Sequence, residues 1–536
     1  MKSVLEYLEN SAKRYPEKTA VRDLQEAYSY RQLEEYGRRI GSALAADLSG
    51  SGCPDRQRMR RPVIVYMEKS ARALASFMGT VYAGCFYTFI SPSQPVSRIR
   101  RILDVLGADR AIFSGGPQDL EKLREAGFRG SVLEFEEALK CREDAELLER
   151  IRGQAQDIDP LYCNFTSGST GIPKGVLIAH RSVIDFMNYF PDMFHITEED
   201  VIGNQAPFDF DVSVKDIYST LKTGASLVIL PKRLFSVPKE LLDCLCEYKV
   251  TTLIWAVSAL CIITQLRGFS YRVPESVNKV LFSGEVMPVS HLNQWRTYLP
   301  DAEFVNLYGP TEITCNCTYY RVEREFGADE KLPAGKPFPN EKVFLLDIGM
   351  YTSEKEPGEA VQKPEYREIT QPGRIGEICV SGTAVGLGYY NDPVRTAEVF
   401  VQNPLNSSYE ERIYRTGDLG FFNEDGDLCF AGRKDFQIKH MGHRIELEEI
   451  ERIIGGYDGV DRVCCLFDEE KDRIIAWYVG TPAGRDLKKK MRGTESVYLI
   501  PQMFFQIDSL PVTENGKIDR KKLMAEYKES RGRKNG

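Results

Sequence analysis

Between Asn164 and Val176 the chain reads Asn-Phe-Thr-Ser-Gly-Ser-Thr-Gly-Ile-Pro-Lys-Gly-Val, a loop rich in hydroxyls and glycine that follows a short apolar run. Such a loop can wrap phosphates. Gly168, Gly171 and Gly175 let backbone N–H groups approach oxyanions, Thr166, Ser167, Ser169 and Thr170 add hydroxyl donors, and Lys174 adds a mobile positive charge. The spacing is not that of a Walker A loop. Alone, the segment also reads as a flexible surface turn.

Four further segments follow in order. Asn306-Leu-Tyr-Gly-Pro-Thr-Glu312 joins an aromatic face, a tight turn and a carboxylate, and Tyr414-Arg-Thr-Gly-Asp-Leu419 carries a carboxylate on a glycine turn. Gly432-Arg-Lys-Asp-Phe-Gln-Ile-Lys-His-Met-Gly-His-Arg-Ile-Glu446 and Asn515-Gly-Lys-Ile-Asp519 complete the set. Together, and from Tyr28-Ser-Tyr-Arg-Gln-Leu33 to Lys517, the chain resembles the adenylate-forming superfamily: acyl-CoA synthetases, luciferases and the adenylation domains of nonribosomal peptide synthetases. The resemblance implies an ATP-dependent ligase that makes an acyl-AMP and passes the acyl group to a thiol.

That chemistry requires charge neutralisation on the attacking carboxylate, the α-phosphate and the departing pyrophosphate. By the resemblance, Glu312 and Thr170 are the Mg²⁺-associated pair and Lys517 is the catalytic lysine of adenylation. Asp418 takes both ribose hydroxyls, Tyr308 stacks on adenine and Asn306 lies near its amino group. Gly284, Leu307, Gly309, Thr311 and Arg433 complete the nucleotide site. The bland alternatives are a core aromatic for Tyr308 and a turn cap for Asp418. The family's small C-terminal domain rotates between an adenylating and a thioester-forming pose about a residue matching Asp435, which brings Lys439 in as the second catalytic lysine and places Gly442 on a tunnel for the thiol. His443 is read as positional rather than as a base.

The segment Phe208-Asp-Phe-Asp-Val-Ser-Val-Lys-Asp216 separates branches of the superfamily, because members that activate amino acids carry aspartate at the place of Asp211, where it pairs with the substrate ammonium. A helix cap is the alternative role for Asp211. The implied pocket walls are Val212, Lys215, Ser258, Leu281, Ser283, Leu307, Cys315 and Asn316, a mixed lining that suits a small or polar amino acid. Lys215 admits two readings, reaching an acidic or amide side chain or snorkelling to solvent. The segments 210–218 and 282–288 also resemble ligases that load D-alanine onto a carrier protein, although those tend to have cysteine in place of Ser283. Ser91-Pro-Ser-Gln-Pro95 departs from the family's usual Asp-Pro step. Nineteen residues follow Lys517 and no Gly-Gly-x-Ser attachment site occurs, so the expected acceptor is phosphopantetheine on a separate carrier protein acting in trans. An acyl- or aryl-CoA ligase is the alternative activity.

The elements that must hold these residues can be read in outline. At 536 residues the chain exceeds one hydrophobic core, and 42% hydrophobic with 28% charged residues describes a globular protein. A formal charge of −8 argues against nucleic acid or membrane surfaces as partners, and the basic stretch is confined to the tail after Lys517. Thirteen cysteines at irregular spacing beside five histidines suit reduced thiols in a cytoplasmic protein, with no zinc-like spacing. The N-terminus reads as an amphipathic helix rather than a signal peptide, and Val250 to Leu266 as a buried strand followed by a buried helix rather than a membrane span. A monomer is expected.

Apolar runs at 62–66, 111–114, 226–230, 252–256 and 279–282 alternate with amphipathic stretches, which predicts βαβ units and parallel sheets. From Leu332 to Tyr414 closely spaced strands predict a β-rich subdomain, while Gly115 to Arg150 and Glu354 to Pro364 are polar surface segments. After Ala431 come a charged helix near Glu446 to Ile453, two short strands and a polar terminus. The fold expected is a large α/β N-terminal domain over 1–432, binding ATP and the amino acid, with a small mobile α+β domain over 433–536.

Overall fold

The computed structural model describes residues 1–49, 59–167, 172–327, 330–347, 366–434, 437–512 and 518–532. Strands that are apolar at every position become central strands of parallel sheets, since burial on both faces leaves no side for polar groups. Pro62–Met67 and Phe86–Ile90 are buried throughout and lie near the middle of a seven-stranded sheet. Toward one edge lies the antiparallel pair Pro160–Thr166 and Lys174–Ala179, with the short strand Gly388–Tyr389 outside it. A nine-stranded sheet runs parallel from Glu303–Tyr308 through Lys279–Ser283, Thr252–Ala256, Val201–Asn204 and Ser226–Ile229 to Thr19–Arg22.

The main core fills the space between these two sheets. Val63, Phe89 and Leu161 from one sheet and Ile254, Leu281 and Val305 from the other share it with helices such as Ala71–Tyr82 and Val212–Thr223. Alternate residues of the same strands, among them Leu253, Trp255 and Phe282, enter a second cluster on the outer face of the nine-stranded sheet. Two-sided burial of this kind is why these strands read as unbroken apolar runs.

A five-stranded antiparallel sheet follows, built from Glu341–Leu346, Gly376–Gly382, Phe400–Gln402, Arg412–Phe422 and Leu428–Arg433. The β-rich stretch therefore extends past Tyr414 to Arg433. A two-stranded hairpin, Gln437–His440 with His443–Glu446, leads into the C-terminal lobe. That lobe has a three-stranded sheet, Val460–Asp468, Arg473–Gly480 and Met503–Gln506, sandwiched between Leu447–Gly455 and Gly484–Thr494 on one face and Arg520–Gly532 on the other. Its two hydrophobic clusters are made of residues from Ile438 onward.

The lobe holds more than the two strands and polar terminus read from sequence. Arg520–Gly532 is helical because Leu523 and Tyr527, one turn apart, bury themselves beside Trp477 and Leu510. Gly115 to Arg150 contains the helices Pro117–Glu125 and Phe135–Lys140 and the edge strand Ser131–Glu134, with a largely polar exposed side. Glu354 to Pro364 lies outside the described residues.

Candidate active site

The parallel strands of the nine-stranded sheet end together, and open α/β sheets leave a crevice at their carboxyl ends. Ala256, Ser283 and Leu307 are register neighbours there. After Tyr308 the chain doubles back, with the Cys317 N–H donating to the Tyr308 carbonyl at 2.8 Å. Gly309 is required at this turn, because a Cβ would come within 2.5 Å of the Asn316 Cα. Thr314 and Cys315 then adopt left-handed backbone, with φ of 55° and 77°, and the Cys315 thiol donates to the Asp211 carbonyl at 3.0 Å.

Asp211 immediately precedes the helix Val212–Thr223, but its carboxylate caps no helix N–H. The capping alternative is thereby corrected. The side chain is buried, burial pushes its carboxyl above the ordinary aspartate range, and the Thr311 hydroxyl and Lys215 ammonium pull the other way. It lines a cavity of about 90 Å³ together with Val212, Ser283, Cys315 and Asn316. Lys215 does not snorkel to solvent, and it is corrected as a wall: wholly buried, it lines neither cavity and stands behind the wall residues, donating to Asn316 Oδ1 and to Ser283 Oγ at 3.4 Å. Burial lowers its pKa, opposed by Cys315 and Asp211. Leu281 is corrected as a wall, because it faces the core two residues below Ser283 and does not reach either cavity.

A larger cavity of about 1850 Å³ opens between the lobes, lined on one side by Ser258, Gly284, Asn306 and Leu307. On its other side Tyr308 donates to Asp418 Oδ2 at 2.5 Å and Arg433 pairs with Asp418 Oδ1. The Tyr308 ring packs against the main core while its hydroxyl is tied to a carboxylate, and Asp418 lies within the strand Arg412–Phe422 with its oxygens on Tyr308 and Arg433. Asn306 donates to the Pro333 carbonyl at 2.8 Å.

The hairpin of 437–446 inserts into this space. Ser167 donates to the Arg444 carbonyl, Lys174 approaches Glu446 at 3.4 Å, and Thr166 lines the smaller cavity. Lys439 lines both cavities, and burial lowers its pKa against the attraction of Asp418. Gly442, with φ of 79°, places its N–H 2.8 Å from Glu285 Oε1. His443 stacks on Tyr498 at 3.7 Å, and burial drops its pKa to about 3, with Lys232 and Arg98 adding to the effect, so it is neutral and structural near pH 7. Gly168, Ser169, Thr170, Gly171, Asp435 and Lys517 lie outside the described residues.

Glu312 is wholly buried and accepts from Tyr389 at 2.8 Å and from Arg444 at 2.8 and 3.0 Å. Burial works to raise its pKa, but Arg444 and Lys174 outweigh it and hold the carboxyl at about 2. Arg444, Tyr389 and Glu285 were not singled out by their sequence, although Arg444 lies within the 432–446 segment and Glu285 adjoins Gly284. Lys69 was missed as well: its ammonium donates to Gln205 O at 3.0 Å and Asn204 Oδ1 at 3.1 Å, bracing the turn that leads to Asp211. Among the described residues no cluster of three His, Cys, Asp or Glu side chains could hold a metal ion.

Residues 8–390 match the profile of the AMP-binding enzyme family. The chain belongs to this family. The AMP-binding enzyme is 31% identical to D-alanine--D-alanyl carrier protein ligase of Listeria monocytogenes, over 98% of this chain and 99% of that one. It is 30% identical to zwittermicin A synthase ZmaJ of Bacillus cereus, covering 96% and 93%. Against a mycosubtilin synthase polypeptide of Bacillus subtilis, at 31% identity, it spans 97% of its own length but 19% of the relative. Among solved structures, IdnL1 superposes with a TM-score of 0.77 at 25% identity, covering 95% of this AMP-binding enzyme and 99% of that chain. Holo-PA1221, a nonribosomal peptide synthetase protein with adenylation and PCP domains, shares the fold at a TM-score of 0.76 and 22% identity, covering 98% and 84%. No helix among the described residues is long and apolar enough to cross a membrane.

Proposed function

We propose that this AMP-binding enzyme activates a small or polar amino acid with ATP and transfers it to the phosphopantetheine thiol of a separate carrier protein, working as a cytoplasmic monomer. One observation carries the reading: Asp211 presents a buried carboxylate, free of helix capping, to a cavity of about 90 Å³ at the sheet's carboxyl edge. Burial keeps this carboxylate costly even beside Thr311 and Lys215, and an incoming ammonium relieves that cost. The D-alanine--D-alanyl carrier protein ligase likeness over both full lengths supports the same reading.

In the first half-reaction the substrate carboxylate attacks the α-phosphorus of ATP, and the P–O bond to pyrophosphate breaks. Asp418, braced by Tyr308 and Arg433, accepts the ribose hydroxyls, Tyr308 covers the adenine and the 166–174 loop holds phosphate oxygens. Glu312, with Thr170, has the hard oxygen donors that Mg²⁺ takes, and the ion would neutralise the triphosphate there. The fit requires Arg444 to leave, since its guanidinium already occupies both Glu312 oxygens. Lys517 on the 433–536 lobe serves this half-reaction.

In the second half-reaction the thiol sulfur attacks the acyl carbon, the bond to AMP breaks and the thiol proton leaves to solvent. The observed lobe arrangement, with Lys439, Gly442 and Arg444 inserted, suits this step. Rotation about Asp435 exchanges the two arrangements. Exchange of labelled pyrophosphate into ATP, dependent on an amino acid, tests the reading. Absence of exchange across a full panel would sink it, whereas coenzyme A consumption with fatty or aromatic acids surviving in Asp211→Ala would favour an acyl-CoA ligase.

A further inference from the structure

The tip of the 437–446 hairpin is unusual for what it leaves unpaired. His440 and His443 are register partners, so the turn has two residues, Met441 and Gly442, both in left-handed backbone with φ of 52° and 79°. Such a turn matches the twist of the strands but directs the amide of its second residue away from the ladder. That amide is satisfied from the other lobe, donating to Glu285 Oε1 at 2.8 Å. The second oxygen of the same carboxylate accepts the Ser258 N–H at 3.0 Å, in the first turn of the helix Val257–Gln265. One carboxylate thus joins the wall of the large cavity to the hairpin tip.

The neighbouring geometry gives the joint a purpose. Glu285 follows Ser283 and Gly284 at the end of a central strand, so it is placed by the same backbone that forms the amino-acid cavity. A Cβ on Gly442 would lie 3.8 Å from Ser258 Oγ and 3.9 Å from Ala256 Cβ, so the bond sets how closely the tip approaches that wall. Left-handed backbone at Met441 is strained, and strain of this kind persists where surrounding contacts hold it. Asp472 and Lys439 are the charged groups facing Glu285, of opposite sign.

We infer that Glu285 is a positioning residue for the acyl-transfer half-reaction, latching the hairpin tip so that the thiol path beside Gly442 is held open. The inference rests on the transfer reading given above. It requires a carboxylate with two acceptors, because the amide of glutamine would turn an N–H donor toward one of the two backbone N–H groups.

The test uses the full chain and Glu285→Gln. Pyrophosphate exchange is expected to stay within about threefold of the parent, while aminoacyl transfer from the enzyme-bound adenylate to pantetheine, in single turnover, falls about tenfold or more, as loss of a charged hydrogen bond implies. Hydrogen exchange of the peptide covering Lys439–His443 is expected to quicken at the tip amide. Equal loss in both half-reactions, transfer at the parental rate, or unchanged hydrogen exchange would each overturn the inference. A parent enzyme with no exchange for any amino acid would instead remove the function proposed above, and the hydrogen-exchange arm would still judge the latch.

Discussion

At the scale of single residues the site is governed by buried charge. Asp211→Asn keeps the shape but removes the partner of the substrate ammonium, so kcat/KM for the amino acid in pyrophosphate exchange is expected to fall on the order of a hundredfold. Lys215 is different, since removing one member of a buried group of charges leaves Asp211 and Asp216 without its compensation. Lys215→Met is expected to lower the Tm by several degrees in thermal unfolding. Glu312 carries a pH dependence whose sign follows from its depressed pKa. Its ionised form stabilises the fold fully above the ordinary 4.5, and that contribution is lost as pH falls toward about 2. The urea-stability gap between the parent and Glu312→Gln is therefore expected to be constant from pH 7 to about 5 and to narrow below 4.5.

At the scale of elements, turns decide which side chains meet. The 308–317 turn brings Glu312, Cys315 and Asn316 to the strand ends, and its closest approach is at Gly309. Gly309→Ala is expected to cost about 1–3 kcal/mol in urea unfolding and to lower both half-reactions together. The hairpin acts on one half-reaction instead. Arg444→Ala removes the cation that pairs with Glu312 in the inserted arrangement, so acyl transfer is expected to drop more than pyrophosphate exchange. These contacts escaped the sequence reading for a simple reason. Glu285 meets an amide 157 residues away and Arg444 a carboxylate 132 residues away, so no local spacing announces either pair.

At the scale of the whole molecule, the C-terminal sheet has two faces. Ile474, Ala476 and Tyr478 pack with Ile445 and Leu447 on the face from which the hairpin extends, while Ile475 and Trp477 pack with Ile518 on the opposite one. Lys517 adjoins Ile518 in sequence, which supports the proposal that it and the hairpin serve the cavity in turn rather than together. Lys517→Ala is expected to lose pyrophosphate exchange by about two or more orders of magnitude while still transferring preformed aminoacyl-AMP to a thiol acceptor.

The amino-acid sequence by itself determined the fold class, the strand and helix of 250–266, the order of the glycine-rich, aromatic-turn and C-terminal segments, and the acid expected to grip the substrate amine. The strands and helices rest on local periodicity, while the order of the segments and the role of Asp211 rest on the resemblance to the adenylate-forming superfamily. Tertiary structure alone decided that Asp211 caps nothing, that Lys215 turns inward, that Leu281 stays in the core, and that Glu312 meets an arginine. The physical reason is common to all four. Which way a side chain turns at a strand end or helix start depends on the charges and volumes that distant segments bring to it, and the chain records those distances only when folded.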